Sequence, residues 1–345
     1  MKHKAPVPVT VLTGFLGAGK TTLLSHLLTQ NHGYHCAIII NEFGEVSIDH
    51  QLIVGADEEI LELNNGCLCC RVRKDLIKSL GDLFKKQKRF DYVLVETTGL
   101  AHPGPVAQTF FLPDLAKVLR LDAIVTVADA RHLENEFIEA PEASAQIAFA
   151  DVILLNKTDL VSSADLARVE GRIRSMNSLA KIHRTQRAQI EVGRILDIKA
   201  RDLNAPFELP VADEQDENEH GEHGHEEHDE GEHEGHGQAK HSHYHDEKVR
   251  SFSIVEDRPL DLKRTEAWLS ELVGSMGANI YRCKGILSIQ GQPKRVVFQG
   301  VQMMFDATPE RFWKPDENRQ SRMVFIGKEL DEAKIRAGFE SCLAT

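Results

Sequence analysis

Three observations predict an α/β fold with a mostly parallel sheet, followed by a smaller C-terminal α+β domain. Strand-like and helical patterns alternate through residues 1–205, a glycine-rich sequence follows the first strand, and globular composition returns after a low-complexity segment. The chain has 345 residues, 41% of them hydrophobic and 27% charged. This length and composition suit a globular protein that buries a large core without disulfide bonds.

The first domain, residues 1–205, contains short runs rich in Val, Ile and Leu, as is typical of strands buried on both faces of a parallel sheet. These predicted strands are residues 7–12, 36–40, 92–95, 123–127 and 152–155. Amphipathic stretches lie between them and predict helices at residues 20–30, 72–87 and 164–176. Strands that alternate with helices in this way predict an open sheet with helices on both faces.

A phosphate-binding loop follows the first strand. The sequence from Gly14 to Thr21 fits the P-loop pattern G-x-x-x-x-G-K-[ST], between a strand and a helix. Glycines allow backbone N–H groups to surround phosphate oxygens, and the N-terminus of the following helix adds its dipole. We expect Lys20 to neutralise the β- and γ-phosphates and Thr21 to bind Mg²⁺. The predicted nucleotide-binding residues of this loop are Gly14, Gly17, Ala18, Gly19, Lys20 and Thr21.

Two later strand ends carry residues that suit the same nucleotide. Glu96 ends the strand at 92–95 and is a candidate for the Mg²⁺ shell, and the Gly99 N–H is a candidate for the γ-phosphate. The sequence Asn156-Lys157-Thr158-Asp159 follows the strand at 152–155. A carboxylate at Asp159 can accept both N1–H and N2–H of guanine, a donor pair that adenine lacks. The sequence therefore predicts GTP as the nucleotide.

Three cysteines, Cys67, Cys69 and Cys70, are clustered in the sequence before a predicted helix. The helix N-terminus and the nearby arginines favour thiolates and hence metal binding. Three sulfurs do not complete a tetrahedral zinc site, so a fourth ligand comes from elsewhere, and such a site suits transfer of the metal. A redox thiol group and inert packed cysteines are the alternatives. The isolated cysteines at 36, 283 and 342 are expected to be core or surface residues.

The segment 206–247 is predicted to be a disordered, metal-binding linker because it has few apolar residues. Within it, residues 213–247 hold 14 of the 53 acidic residues but one of the 41 basic ones, so the net charge of −12 belongs to this tract. Nine of the 17 histidines lie here, and neutral imidazole suits Zn²⁺, Ni²⁺, Co²⁺ and Cu²⁺. The first of these candidate ligands are His220, His223, His225 and His228. A solvated linker without metal is the alternative.

The third segment, residues 248–345, is predicted to form the small α+β domain. Strands are expected at 249–255, 280–288, 294–299, 302–306 and 322–325. Helices are expected at 262–273 and from about residue 330.

Together these motifs resemble the CobW family of P-loop GTPases. The resemblance rests on residues 14–21, 96–99 and 156–159, on Gly66-Cys67-Leu68-Cys69-Cys70, and on the sequences at 41–45 and 282–286, and it covers nearly the whole chain. It implies a metallochaperone that couples GTP hydrolysis to transfer of a metal from the three cysteines to a client protein. It also implies a phosphate contact from Thr22. Glu42 and Glu45 would lie on a switch segment, where a ligand role towards Mg²⁺ or zinc and a local structural role remain open.

The resemblance implies zinc as the cargo of members with histidine-rich inserts, whereas cobalt or nickel remains an alternative. A zinc-storage protein that uses the histidine tract is a second alternative. No apolar run approaches the 18–20 residues of a membrane span, and no signal segment precedes the first strand. We therefore expect a cytoplasmic protein with no membrane or nucleic-acid partner, and we leave a homodimer open.

Overall fold

The computed structural model describes residues 5–40, 90–200 and 248–345, together with the backbone of 59–62 and the helical residues 77, 80 and 81. Within the first part, seven strands form one sheet in the order β3-β2-β4-β1-β5-β6-β7, and every neighbouring pair is parallel. The strands are β1 (Val7–Thr13), β2 (Cys36–Ile40), β3 (Glu59–Glu62), β4 (Tyr92–Glu96), β5 (Leu119–Asp129), β6 (Val152–Asn156) and β7 (Lys181–Arg184).

Helices and short 3-10 turns connect these strands. The helices are α1 (Lys20–Thr29), α2 (Pro103–Thr109), α3 (Pro113–Ala116), α4 (Leu133–Glu139), α5 (Pro141–Phe149) and α6 (Ser163–Met176), and the 3-10 turns are Thr158–Leu160 and Val192–Arg194. Two separate apolar clusters cover the two faces of the sheet. Leu23 and Leu27 of α1 belong to one cluster, and Val169 and Ile173 of α6 belong to the other. The predicted sheet with helices on both faces is therefore confirmed.

The C-terminal part is an antiparallel sheet in the order β11-β10-β9-β12-β8 with two helices. Its core packs Trp268 edge-on against Phe325 and Phe339. This arrangement confirms the predicted α+β domain. Its elements are β8 (Val249–Glu256), α7 (Leu262–Met276), β9 (Ile280–Leu287), β10 (Lys294–Val301), β11 (Met304–Phe312), β12 (Ser321–Lys328) and α8 (Glu332–Glu340).

The two parts meet at the C-terminal end of α5. Phe149 stacks on Tyr281 with ring centroids 5.0 Å apart, and Arg282 forms a buried ion pair with Asp151. Arg282 also donates to the backbone oxygen of Ala150. The expected boundaries of the linker, residues 206 and 247, lie outside the described residues and stay predictions.

Several sequence-based boundaries differ from the structure. The strand expected at 302–306 is present but displaced, because Gln302 has φ +50° in the turn, and β11 begins at Met304 and continues to Phe312. The strand expected at 322–325 extends over Ser321–Lys328, and the helix expected from 330 begins at Glu332 after an N-cap at Asp331. The helix expected at 72–87 lies largely outside the described residues. No helix in the described part of the chain combines the length and apolar composition that crossing a membrane requires.

Candidate functional site

The P-loop joins the end of β1 to α1, and its glycines adopt backbone conformations that L side chains rarely reach. Gly14 has φ +140°, and a Cβ there would lie 2.1 Å from the carbonyl oxygen of Val127. Gly19 has φ +114°, and a Cβ would lie 2.6 Å from Nδ2 of Asn156. Neither position tolerates a side chain, because the loop lies directly against β5 and β6. Ala18 is fully buried in the same loop.

Lys20 is the first residue of α1 and is 9% exposed. Its Nζ donates to the backbone oxygens of Gly14 (2.9 Å) and Phe15 (3.1 Å), so the ammonium lies within the curve of the loop. The α1 N-terminus has no acidic residue in its first turn and no side-chain cap. A cation beside a helix N-terminus and a glycine-rich backbone is an arrangement that suits phosphate oxygens.

Thr21 and Glu96 are adjacent across the ends of α1 and β4. The Thr21 hydroxyl donates to Oε1 of Glu96 at 3.3 Å, and Glu96 is 6% exposed. Glu96 is held there because β4 pairs in parallel with β1, with Leu12 opposite Glu96. A hydroxyl and a carboxylate at this distance are oxygen donors of the kind that Mg²⁺ prefers, so the pair fits a Mg²⁺ ion bound with nucleotide phosphates.

The segment 97–102 connects β4 to α2 and passes close to the P-loop. Thr97 N–H donates to the oxygen of Leu12 (2.9 Å), and a Cβ on Gly99 would lie 2.8 Å from the backbone nitrogen of Leu16. Gly99 is therefore required by a close backbone approach. The segment ends at His102, whose ring Nδ1 accepts from Gly104 N–H and caps α2. The structure thus brings Gly99 to the phosphate end of the site.

The predicted base-binding residues surround the end of β6. Asn156 is buried, and its Nδ2 donates to the oxygen of Ala18 at 2.9 Å. Its Oδ1 accepts from the hydroxyl of Thr185 (3.2 Å) and the N–H of Ala188 (2.9 Å). Asn156 thus uses its side chain to connect the P-loop to residues 185–188. Asp159 lies exposed in the following 3-10 turn, where its carboxylate is accessible to a base.

Asp129, at the end of β5, is a site residue that the sequence motifs did not identify. Lys157 has φ +60°, and its Nζ pairs with Oδ2 of Asp129 at 2.7 Å. The ring Nδ1 of His132 lies 3.0 Å from the same oxygen, and Arg131 N–H donates to Oδ1. Burial alone would raise the pKa of Asp129, but these hydrogen bonds and Lys157 hold it below its usual value. In the sequence, the available signal for Asp129 was its place two residues after the strand predicted at 123–127.

A second buried carboxylate, Glu136, lies near the Asp129–Lys157 ion pair. Glu136 of α4 is 5% exposed, and its Oε2 is buried without a hydrogen-bond partner among the described residues. Burial, with a contribution from Asp129, raises the pKa of Glu136 to about 7. Glu136 therefore holds a proton near neutral pH more readily than an ordinary glutamate.

Of the predicted metal ligands, Thr21 and Glu96 belong to the described residues, whereas the others lie outside them. They are Glu42, Cys67, Cys69, Cys70, His220, His223, His225 and His228. Across the described ranges, no group of three or more His, Cys, Asp or Glu side chains is arranged to hold a metal ion. Cys36, Cys283 and Cys342 are buried, so they take the core position of the two that the sequence left open, core and surface. Burial raises the pKa of the Cys283 thiol, so this residue is a poor source of thiolate.

Family models match both parts of the chain. Residues 8–184 match the CobW/HypB/UreG nucleotide-binding domain, and residues 249–343 match the cobalamin synthesis protein cobW C-terminal domain. The zinc chaperone YjiA of Escherichia coli is 35% identical, covering 97% of this chain and 98% of the relative. The zinc chaperone CobW of Pseudomonas aeruginosa is 34% identical, covering 100% of this chain and 93% of the relative.

A solved structure supports the same comparison over the full length. The crystal structure of Zn(II)-bound YjiA GTPase from E. coli superposes with a TM-score of 0.75 at 31% identity. The match covers 99% of this chain and all of that chain. It therefore includes both the nucleotide-binding domain and the C-terminal sheet.

Proposed function

We propose, from the premise that this chain belongs to the CobW family of P-loop GTPases, that it is a GTP-hydrolysing zinc metallochaperone. The observation that carries the GTP site is the convergence of Lys20, the Thr21–Glu96 pair and Asn156 at one edge of the parallel sheet. Relatives that match over nearly the full chain are named zinc chaperones, which supports zinc as the cargo.

Different described residues bind different parts of GTP. Lys20 neutralises the β- and γ-phosphates, and the backbone N–H groups of Gly17 and Gly19, with Thr22, hold phosphate oxygens. Thr21 and Glu96 hold Mg²⁺, which when bound neutralises charge that develops on the phosphates. The Gly99 N–H contacts the terminal phosphate. Asp159 accepts from guanine, while the stem of Lys157, held by Asp129, packs over the ring.

The metal site of the proposal is the thiolate group Cys67, Cys69 and Cys70. Three sulfur ligands suit zinc and leave one position for exchange with a client, whereas a closed four-ligand site would retain the metal. Glu42 is proposed as a residue of the switch segment that connects this site to the nucleotide. The histidine tract, beginning with His220, His223, His225 and His228, collects zinc weakly before transfer.

Zinc stoichiometry separates this proposal from zinc storage. We expect Cys69→Ser to remove one tightly bound zinc per chain, and we expect deletion of residues 213–247 to remove only weakly bound ions. Cys342→Ser is the matched control, because this buried thiol donates to Gly338 O and a serine hydroxyl replaces that bond. If the tract deletion removed the tight zinc and Cys69→Ser did not, the storage function would be correct.

GTP hydrolysis tests the other half of the proposal. Lys20→Ala should abolish GTP turnover, because it removes the cation that neutralises the β- and γ-phosphates, and its bonds to Gly14 and Phe15 lie within the same loop. Cobalt or nickel remains the alternative cargo, since thiolate and imidazole accept all three ions. Metal content of the protein isolated from its native host decides between them, and a majority of cobalt or nickel would replace zinc in the proposal.

A further inference from the structure

Gln146 is a buried side chain of α5 that bonds to the loop after β4. It is 1% exposed, and its Nε2 donates to the backbone oxygens of Gly99 (2.9 Å) and Ala101 (3.1 Å). Both acceptors belong to the segment 97–102, which lies against the P-loop. One amide group that satisfies the buried carbonyl of Gly99 and the partly buried carbonyl of Ala101 restricts the path of this segment, because a displaced carbonyl would lose its partner.

The backbone of Gln146 is anchored separately from its side chain. The hydroxyl of Thr126, on β5, donates to the oxygen of Gln146 at 2.8 Å. The helix α5 therefore has an anchor on the sheet that does not involve the amide of Gln146. Removing that amide changes the bonds to Gly99 and Ala101 while this anchor remains.

The same helix carries the contacts with the C-terminal domain. Phe149 stacks on Tyr281, and the ring of His102 meets both at right angles, with centroids 5.3 and 5.5 Å away. The segment 97–102 is thus bonded to α5 at its centre through Gln146 and packed on the interdomain contact at its end through His102. A shift of the segment is opposed at both places.

We propose that Gln146 is a positioning residue for GTP, which holds residues 99–101 so that the N–H of Gly99 faces the terminal phosphate. This inference rests on the proposed contact between Gly99 and that phosphate. GDP lacks the phosphate, so the binding of GDP does not depend on Gln146. Gln146 therefore raises the affinity for GTP relative to GDP. It also connects this preference to α5, the helix that contacts the C-terminal domain.

The test compares the binding of a non-hydrolysable fluorescent GTP analogue and of GDP to the full chain. Gln146→Met keeps the side-chain length without donating, and Gln146→Glu replaces the donor by an acceptor that repels both carbonyls. Because one buried and one partly buried hydrogen bond are lost, we expect the affinity for the GTP analogue to fall about tenfold in both variants. The affinity for GDP should change less than about twofold.

Gln108→Met is the matched control. Gln108 is a partly buried glutamine of α2 that donates to Oε1 of Gln302 at 2.7 Å, so it also lies at the interdomain contact but makes no bond to residues 99–101. We expect both nucleotide affinities to stay at the wild-type value in this variant.

Three outcomes overturn the inference. Equal losses for GTP analogue and GDP, including the complete loss that misfolding causes in both Gln146 variants, would assign Gln146 a general structural role. Unchanged affinities in both variants would show that Gly99 is positioned without it, while the proposed GTP site stands. Wild-type protein that binds no guanine nucleotide would refute the proposed function and this inference together.

Discussion

Replacing Arg282 by Met removes a buried ion pair between the two domains. The side chains of Arg282 and Asp151 are 5% and 1% exposed, and Arg282 also donates to the oxygen of Ala150. Arg282→Met keeps an unbranched side chain of similar length but leaves the Asp151 carboxylate buried without its cationic partner. Breaking a buried pair in this way costs about 3–5 kcal/mol, because the remaining charge stays desolvated.

A double variant tests whether the cost arises from the remaining charge. In Arg282→Met with Asp151→Asn, both charges are absent, and an amide oxygen at 151 still accepts from the N–H of Ile124, as Oδ2 does at 2.8 Å in the wild type. Neutral replacements of buried ion pairs are often tolerated. We therefore expect the double variant to lose only about 0–2 kcal/mol, less than the single variant.

Tryptophan fluorescence during urea unfolding measures these costs, because both tryptophans, Trp268 and Trp313, lie in the C-terminal domain. Arg258→Met is the control. Arg258 pairs with Glu256 at 2.7 Å in the same domain, but its side chain is 66% exposed. Exposed pairs contribute at most about 1 kcal/mol. Equal destabilisation by Arg258→Met and Arg282→Met, or a double variant worse than Arg282→Met, would refute the reasoning.

Three further substitutions test the candidate site and the sheet that supports it. Because burial and Asp129 raise the pKa of Glu136 to about 7 from 4.5, folding favours the protonated acid, and wild-type stability should fall as the pH rises between these values. Glu136→Gln should therefore be more stable than wild type by up to about 3 kcal/mol at pH 8 and equal to it near pH 4, as urea unfolding measures; a gap independent of pH would contradict this. Asp159→Asn should weaken GTP about 100-fold and favour xanthosine triphosphate in competition binding, because an amide donor then faces the donors of guanine. Tyr92→Phe should cost about 1–3 kcal/mol in urea unfolding followed by far-UV circular dichroism, because the Tyr92 hydroxyl bonds to Asp122 (2.8 Å), Thr10 (2.8 Å) and the N–H of Asp197 (3.0 Å).

The order of strands and helices was predictable where burial leaves a composition signal. The strands β2, β4 and β6 are buried along their whole length, and their sequences are continuous apolar runs. By contrast, β7 has the sequence Lys-Ile-His-Arg and lies at the edge of the sheet, where its outer side needs no apolar residues. The sequence did not predict β7, because this edge strand lacks the apolar run by which the other strands were recognised.

The nucleotide-site motifs were predictable because each is continuous in sequence and lies at a strand end. The contacts that connect them were not, since their partners are distant in the chain. Gln146 bonds to residues 45 and 47 positions away, and Asn156 bonds to a carbonyl 138 positions away. The pairing of Asp129 with Lys157 depends in the same way on β5 and β6 being neighbours in the sheet. Only the fold brings such residues together.

The dependence of zinc affinity on the bound nucleotide tests the central claim, that GTP binding and metal binding are coupled in one chain. Zinc affinity is measured by competition with a chelator, once with the GTP analogue bound and once with GDP bound. Coupling of about 1–3 kcal/mol predicts affinities that differ about 5–150-fold, and zinc must change the preference for the GTP analogue over GDP by the same factor. Equal zinc affinities in the two nucleotide states would contradict the claim.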